Sequence, residues 1–266
     1  QGRINPAYFY GVFDPNDMRR DVSITMTGSN GKGVEKLIPF VPNSKAEGGG
    51  LTLNKWDENR QANPWVAAQR KSGINGPYMR MSEVYLGYAE VCAALGDVVT
   101  GKQYLKTVRE RSFPQGLANT DAFIASFGND LVRAIIEERG FEYAGEGDRR
   151  WTLIRSGYLP EDIKRIKDMT KAMMDGLATK GYYEFENGNI ISAYIWTKLV
   201  DAKTIYGHRL TAQCPTDKVN DPVLYPGWRG QKDNWEEMGL NYGSSTPATN
   251  LAIKGLFEIV SEEEAA

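Results

Sequence analysis

A chain of 266 residues with 32 Lys+Arg against 34 Asp+Glu, a formal net charge of −2, lacks the basic excess of a nucleic-acid or anionic-membrane binder. Its single histidine, His208, rules out histidine-rich metal centres, and two cysteines without a C-x-x-C spacing give no zinc-ribbon or thioredoxin-type motif. With 41% hydrophobic and 25% charged residues, and no apolar run near the ~20 residues of a membrane span, the composition is that of one large globular domain or two small ones.

The chain opens on Gln1-Gly2-Arg3, without an initiator Met or the charged and apolar regions of a signal peptide. The expectation is that a leader has been removed or that the sequence begins inside a longer chain. Residues 1–75 read as irregular structure with short strands. Val22, Ile24 and Met26 alternate with polar residues, the period of a half-buried strand. Asn30-Gly31 supplies a turn, and the stretch 34–40 is the expected return strand. Gly48-Gly49-Gly50 is a flexible loop, and Trp56 and Trp65 follow in an Asn-rich stretch.

Residues 77–113 are expected to form a helical pair. Met81, Val84, Tyr85, Tyr88, Cys92 and Leu95 recur at three- and four-residue spacing and predict a wide apolar face. Gly96-Asp97 breaks the first helix, and Tyr104, Leu105 and Val108 carry the second towards Pro114. The small residues Ala89, Ala93 and Ala94 make the pair similar to a tetratricopeptide-type hairpin, without the full repeat consensus. A further helix is expected after a cap at Asn129 or Asp130, buried through Leu131, Val132, Ile135 and Ile136 and dense in charge in its later turns. Residues 160–180 read as another helix. Asn187-Gly188 marks a second hairpin, the Pro/Gly/Trp-rich 214–242 reads as loop, and 251–260 is a short apolar tail before an acidic end.

Each chemical motif has a structural reading beside its functional one. Glu142 and Glu146 lie one helical turn apart, and paired carboxylates serve acid–base work where their environments separate their pKa values. With Glu138, Arg139 and Arg149 so close, a structural ion network is the preferred reading, Arg139 reaching Glu142 at i,i+3. Gly28-Ser-Asn-Gly31-Lys32-Gly33 fails the phosphate-loop spacing and is read as a hairpin turn. Asp14, Asn16 and Asp17 lack the alternation of an EF-hand and are read as turn chemistry, with a looser Ca²⁺ site left open. Cys92 reads as a small buried hydrophobe. The aromatics give the binding hypothesis: Tyr8, Tyr10, Trp56 and Trp65 are ligand-contact candidates, since flat rings stack on the apolar faces of sugars or on peptide groups. Their alternative role is to anchor loops by burial, the reading favoured for Trp228 and Trp235.

The segment Arg80-Met-Ser-Glu83-Val-Tyr-Leu86-Gly-Tyr-Ala89-Glu90-Val resembles the R-x-x-E-x-x-L-x-Y-A-E-A helix of the SusD/RagB family, and Val108-Arg109 with Arg111 its V-R-x-R stretch. The run from Glu138-Arg139 through Glu142, Glu146-Gly147, Arg149, Leu153 and Arg155 to Gly157 is similar to the family's E-R-x-x-E-x-x-x-E-G-x-R-x-x-D-L-x-R-x-G, with Thr152 where Asp is usual. Asp14-Pro15 with Arg19-Arg20 resembles the D-P-R segment that opens the family's second half.

The resemblance implies a mainly α fold, with tetratricopeptide-like helical hairpins packed on a loop-rich region containing short β-hairpins. On this reading residues 1–266 are the C-terminal portion of a single domain. Residues 1–75 are its irregular part, 77–157 its signature helices and 158–266 its loop-rich C-terminal part, while the other half carries the lipid anchor. It further implies a cell-surface, outer-membrane lipoprotein without a catalytic site, cofactor or metal. Such a protein delivers oligosaccharides, or in some members peptides, to a SusC-like TonB-dependent transporter. Arg80, Glu83, Glu138, Arg139, Glu142, Glu146, Arg149 and Arg155 are then structural signature residues. A glycosidase using Glu142 and Glu146, and a ligand-free helical scaffold, are the remaining readings.

Overall fold

The computed structural model describes residues 6–25, 27–29, 35–37, 52–53, 55–56, 76–180, 182–192, 195–199, 205–210 and 224–226, and these are mainly helical. The first departure from expectation comes at once. Residues 6–23, expected to be irregular or extended, hold two helices, α1 (Pro6–Val12) and α2 (Arg19–Ser23). Pro6 has the φ that a first helical turn needs. Ala7 and Tyr10, and Phe9 and Phe13, are three and four apart, and all four are buried. Phe13 stacks on Phe9 with ring centroids 4.8 Å apart and meets Phe141 at 4.7 Å. Val22 accordingly belongs to α2 and not to a strand.

Short strands follow. β1 (Ile24–Thr25) pairs with β4 (Thr52–Leu53), and β2 (Thr27–Ser29) pairs antiparallel with β3 (Glu35–Leu37), Thr27 opposite Leu37. The glycine-rich segment of the phosphate-loop comparison thus begins in a strand.

The helical body starts with α3 (Met81–Ala94) and α4 (Val98–Glu110), split at Gly96, whose φ of +88° suits glycine. Asp97 caps α4 by accepting from the Thr100 N–H at 3.1 Å. α4 returns closely along α3: a Cβ on Gly101 would lie 3.0 Å from the Ala89 carbonyl oxygen. α5 (Thr120–Ala125) leads to α6 (Leu131–Glu142), capped by Asp130 accepting from the Arg133 N–H at 2.9 Å. One core joins α3, α4, α5 and α6 through Leu86, Ala89, Leu105, Val108, Ile124 and Ile135. α3 turns a narrower face inward than its spacing predicts. Ser82, Leu86, Ala89 and Cys92 are buried, while Met81, Val84, Tyr88 and Leu95 stand out from the described residues.

α7 (Asp148–Ser156) runs between two glycines with positive φ, Gly147 and Gly157, and α8 (Leu159–Lys180) is the longest helix among the described residues. α8 is the helix expected over 160–180, and its 22 residues open the part beyond residue 158. β5 (Tyr182–Glu184) and β6 (Ile190–Ser192) form a hairpin around Asn187-Gly188. Its asparagines serve α1: Asn187 and Asn189 side chains donate to the Tyr10 and Phe13 carbonyls at 2.7–2.9 Å, satisfying acceptors that the end of a helix leaves open. β7 (Ile195–Leu199) pairs antiparallel with both β8 (Ile205–Leu210) and β9 (Leu224–Pro226). β9 corrects part of the loop expected over 214–242. His208 lies in β8. Trp65, Cys214, Trp228, Trp235 and the apolar tail lie outside the described residues. No helix among the described residues is long and apolar enough to cross a membrane.

Candidate functional site

α6 is buried on nearly every side, yet it carries charge. Arg133, Glu137, Glu138, Arg139 and Glu142 are all under 10% exposed, and such groups persist only when paired. Glu138 and Glu142, one turn apart, share a cluster of cations. Arg109 reaches Glu138 at 2.9 Å, and Arg19 reaches Glu138 at 2.7 Å and Glu142 at 3.1 Å. Arg80 holds Glu142 at 2.6 Å and Glu146 at 2.7 Å, Arg111 also pairs with Glu142, and Lys55 pairs with Glu146. Asp17 completes the cluster by binding Arg19 at 2.6 Å.

Burial alone would raise the Glu142 carboxyl. The hydrogen-bonded guanidiniums of Arg111 and Arg80, with the charge of Arg19, outweigh it and hold the group down at about 2. Burial also dominates at Lys55, lowering its pKa against the pull of Glu146. A carboxylate fixed in its ionised form by three arginines is a poor proton donor and a poor nucleophile. That geometry speaks against an acid role for Glu142.

The neighbouring face of α6 carries a second network. Glu137 pairs with Arg149 at 2.8 Å and with Arg165 at 2.6 Å, and both arginines also hold Asp162. Burial works against the Glu137 charge, but Arg149 and Arg165 keep its pKa below the ordinary carboxylate value. Arg139 turns away from Glu142 and binds Asp148 at 2.6 Å, which corrects the expected i,i+3 pair. Thr152 donates to the same carboxylate at 2.9 Å, so the hydroxyl standing where the motif has Asp keeps a polar contact at this helix end. Arg155 bridges to Glu90 of α3 at 2.7 Å, and Glu83 sits half-buried in the first turn of α3, where its charge suits the helix N-terminus.

The aromatic candidates separate. Tyr10 is 2% exposed and lies in the core, its ring 5.8 Å from the Arg20 guanidinium; it has no face open to a ligand. Tyr8 is half-buried against Arg149, 5.9 Å from its ring, and burial pushes its hydroxyl up to about 12. Trp56 is 43% exposed, beside Lys55. Lys55 also lines a cleft of about 330 Å³ with Met18, Val22, Arg111, Ser112 and Glu142. That volume is at the lower end of the ~300–1,000 Å³ of small-molecule sites, and apolar walls with a few charged groups are their usual make-up. Asp14 accepts from the Asn16 N–H at 2.8 Å, the turn chemistry expected of that loop. Sequence reasoning did not find Lys55, Asp162 or Arg165, whose partners lie 28 or more residues away or on another helix. Nor did it single out Trp151, 70% exposed on α7.

The model of the SusD family matches residues 5–203, about three-quarters of the chain and the whole of both ion networks. A SusD-like protein P25 of Formosa agariphila is 28% identical over 160 residues, covering 60% of this chain and 26% of that protein. The chain thus spans about a quarter of the length of this curated relative. No solved structure matches.

Proposed function

The chain belongs to the SusD family, and from that premise we propose that it forms part of a nutrient-binding lipoprotein of the outer-membrane surface. The whole protein captures oligosaccharides and passes them to a SusC-like TonB-dependent transporter, held at the membrane by a lipid anchor. It binds and does not catalyse. The α3–α4 pair is a tetratricopeptide-type hairpin in this reading, and residues 1–266 are one portion of a single domain. The observation that carries the reading is the family match over 5–203. In support, Glu138, Glu142 and Glu146 are each taken up by arginine or lysine, leaving the charged signature a structural role. Trp56, exposed beside the Lys55–Arg111 cleft, is the ligand-contact residue we favour, with Tyr8 and Trp65 as further candidates.

Isothermal titration of the full-length protein against a panel of polysaccharides tests this. We expect binding to at least one glycan, and a Trp56→Ala variant about tenfold weaker, the loss of roughly one good stacking contact. If no glycan binds, and mass spectrometry of material co-purifying with the transporter finds peptides, the ligand is a peptide. Hydrolysis of any glycan, lost in Glu142→Gln, would overturn the non-catalytic reading.

A further inference from the structure

Trp56 is 43% exposed and follows directly on a very short strand. β4 holds two residues, Thr52 and Leu53, paired with Thr25 and Ile24 of β1. A ladder this small does not hold by itself in water, so the place of the indole depends on what anchors the residues before it. Two of those residues, Leu53 and Lys55, reach the same spot, the turn between α6 and α7.

Leu53 is half-buried and lies over Gly145. A Cβ on Gly145 would fall 2.9 Å from Leu53 Cδ1 and 3.1 Å from its Cγ, and the φ of +80° there also suits glycine. Lys55 completes the hold. Its ammonium donates to the Glu142 carbonyl at 2.5 Å and pairs with the Glu146 carboxylate. That carbonyl is one that the end of α6 leaves open, and a cation suits a helix C-terminus. Neither acceptor depends on Lys55. Arg80 reaches the same carbonyl at 3.0 Å and the same carboxylate at 2.7 Å. Taking the ammonium away leaves both groups partnered. What is lost is the tie one residue before Trp56.

We propose that Lys55 is a positioning residue for Trp56: with Leu53 seated on Gly145, it clamps β4 to the α6–α7 turn and sets the indole in place before a glycan arrives. A ring already held loses less freedom when it makes its contact. The clamp as a binding device rests on the reading of Trp56 as a ligand contact, and the test separates the two.

Full-length protein labelled with 5-fluorotryptophan gives one fluorine NMR signal for each tryptophan, and the signal missing from Trp56→Phe identifies Trp56. Lys55→Met should shift and sharpen that signal. Gly145→Ala should do the same by unseating Leu53, with Lys55 intact. Lys55→Arg, which still reaches both acceptors, should restore the wild-type signal. Binding is then titrated with whichever of amylopectin, xylan, laminarin and pectin the wild-type protein takes. Lys55→Met should weaken it about two- to tenfold, the cost of ordering one free side chain on contact. In a Trp56→Ala background the same change should have no further effect, because Lys55 acts through the indole. A loss that persists in that background means that Lys55 meets the glycan itself, and overturns the proposal. A Trp56 signal unmoved by both Lys55→Met and Gly145→Ala overturns it as well. Full affinity in Trp56→Ala would instead sink the reading of Trp56 as a contact, and the fluorine signal would still decide whether Lys55 holds the indole.

Discussion

Glu138 has no solvent exposure and two guanidinium partners, Arg19 at 2.7 Å and Arg109 at 2.9 Å. Arg109 is itself buried, and Phe113 and Phe123 lie against its guanidinium, with centroids 4.6 and 3.8 Å away. Removing one partner of such a pair leaves a buried charge uncompensated, which costs about 3–5 kcal/mol. Glu138→Ala should lose that much in urea unfolding; a loss under ~1 kcal/mol would show that water re-enters the site. Thr152 is a smaller case. Its hydroxyl donates to Asp148 beside Arg139, and Arg139 remains when it is gone. Thr152→Val should therefore cost only about 1 kcal/mol, the net value of one ordinary hydrogen bond. Residue identities announced that these charges form a network, but not who pairs with whom. Spacing alone makes Arg139 and Glu142 neighbours on a helix, yet Glu142 is occupied by three cations from distant segments and Arg139 finds Asp148 across the turn into α7.

Elements were legible where local chemistry sets their ends. Asp130 and Asp97 cap α6 and α4, and glycines with positive φ end or divide the helices. Asp130→Ala should destabilise the protein by about 1 kcal/mol, read as a lower urea midpoint at unchanged slope. Orientation was less legible, because apolar spacing shows that a helix has a stripe but not which of its neighbours covers it. α3 has two apolar stripes side by side, and the helix pair chose the one rich in small residues. The reason lies at Gly101, where a Cβ would already meet backbone atoms of Ala89 and Ala93 at 3.0 and 3.2 Å. α3 and α4 pack there backbone to backbone, and bulky Met81 or Tyr88 could not enter that seam. Gly101→Val should then force the helices apart at a cost of about 1–3 kcal/mol. Differential scanning calorimetry giving an unchanged Tm would show that the pair slides to accommodate it. α1 was hidden for a different reason: at seven residues it is too short for periodicity to stand out, and its end is completed by Asn187 and Asn189, more than 170 positions away.

Across the whole molecule the two networks on α6 act as fasteners between segments far apart in sequence. Arg19 joins α2 to α6 across 123 positions, Lys55 and Arg80 join their segments to its C-terminal end at Glu142, and Arg165 joins α8 to its middle. Stability should therefore follow the ionisation of Glu142 and Glu137. Both have folded-state pKa values below the ordinary ~4.3 of an unfolded glutamate, Glu142 at about 2, so the unfolded chain takes up protons first as the pH falls. Their contribution is complete above the unfolded value and is lost as the pH drops from about 5 towards 2. The Tm measured over this range should fall steeply, and Glu142→Gln should flatten the fall while lowering the Tm at neutral pH. Salt should act differently. Exposed pairs such as Lys164–Asp168 are screened within ~10 Å at 0.1 M, whereas pairs to Glu137 and Glu138 are shielded by the helices around them. Raising the salt to about 1 M should leave most of the neutral-pH stability in place. A Tm that collapses in salt but holds in acid would place the fastening charge at the surface and not on α6.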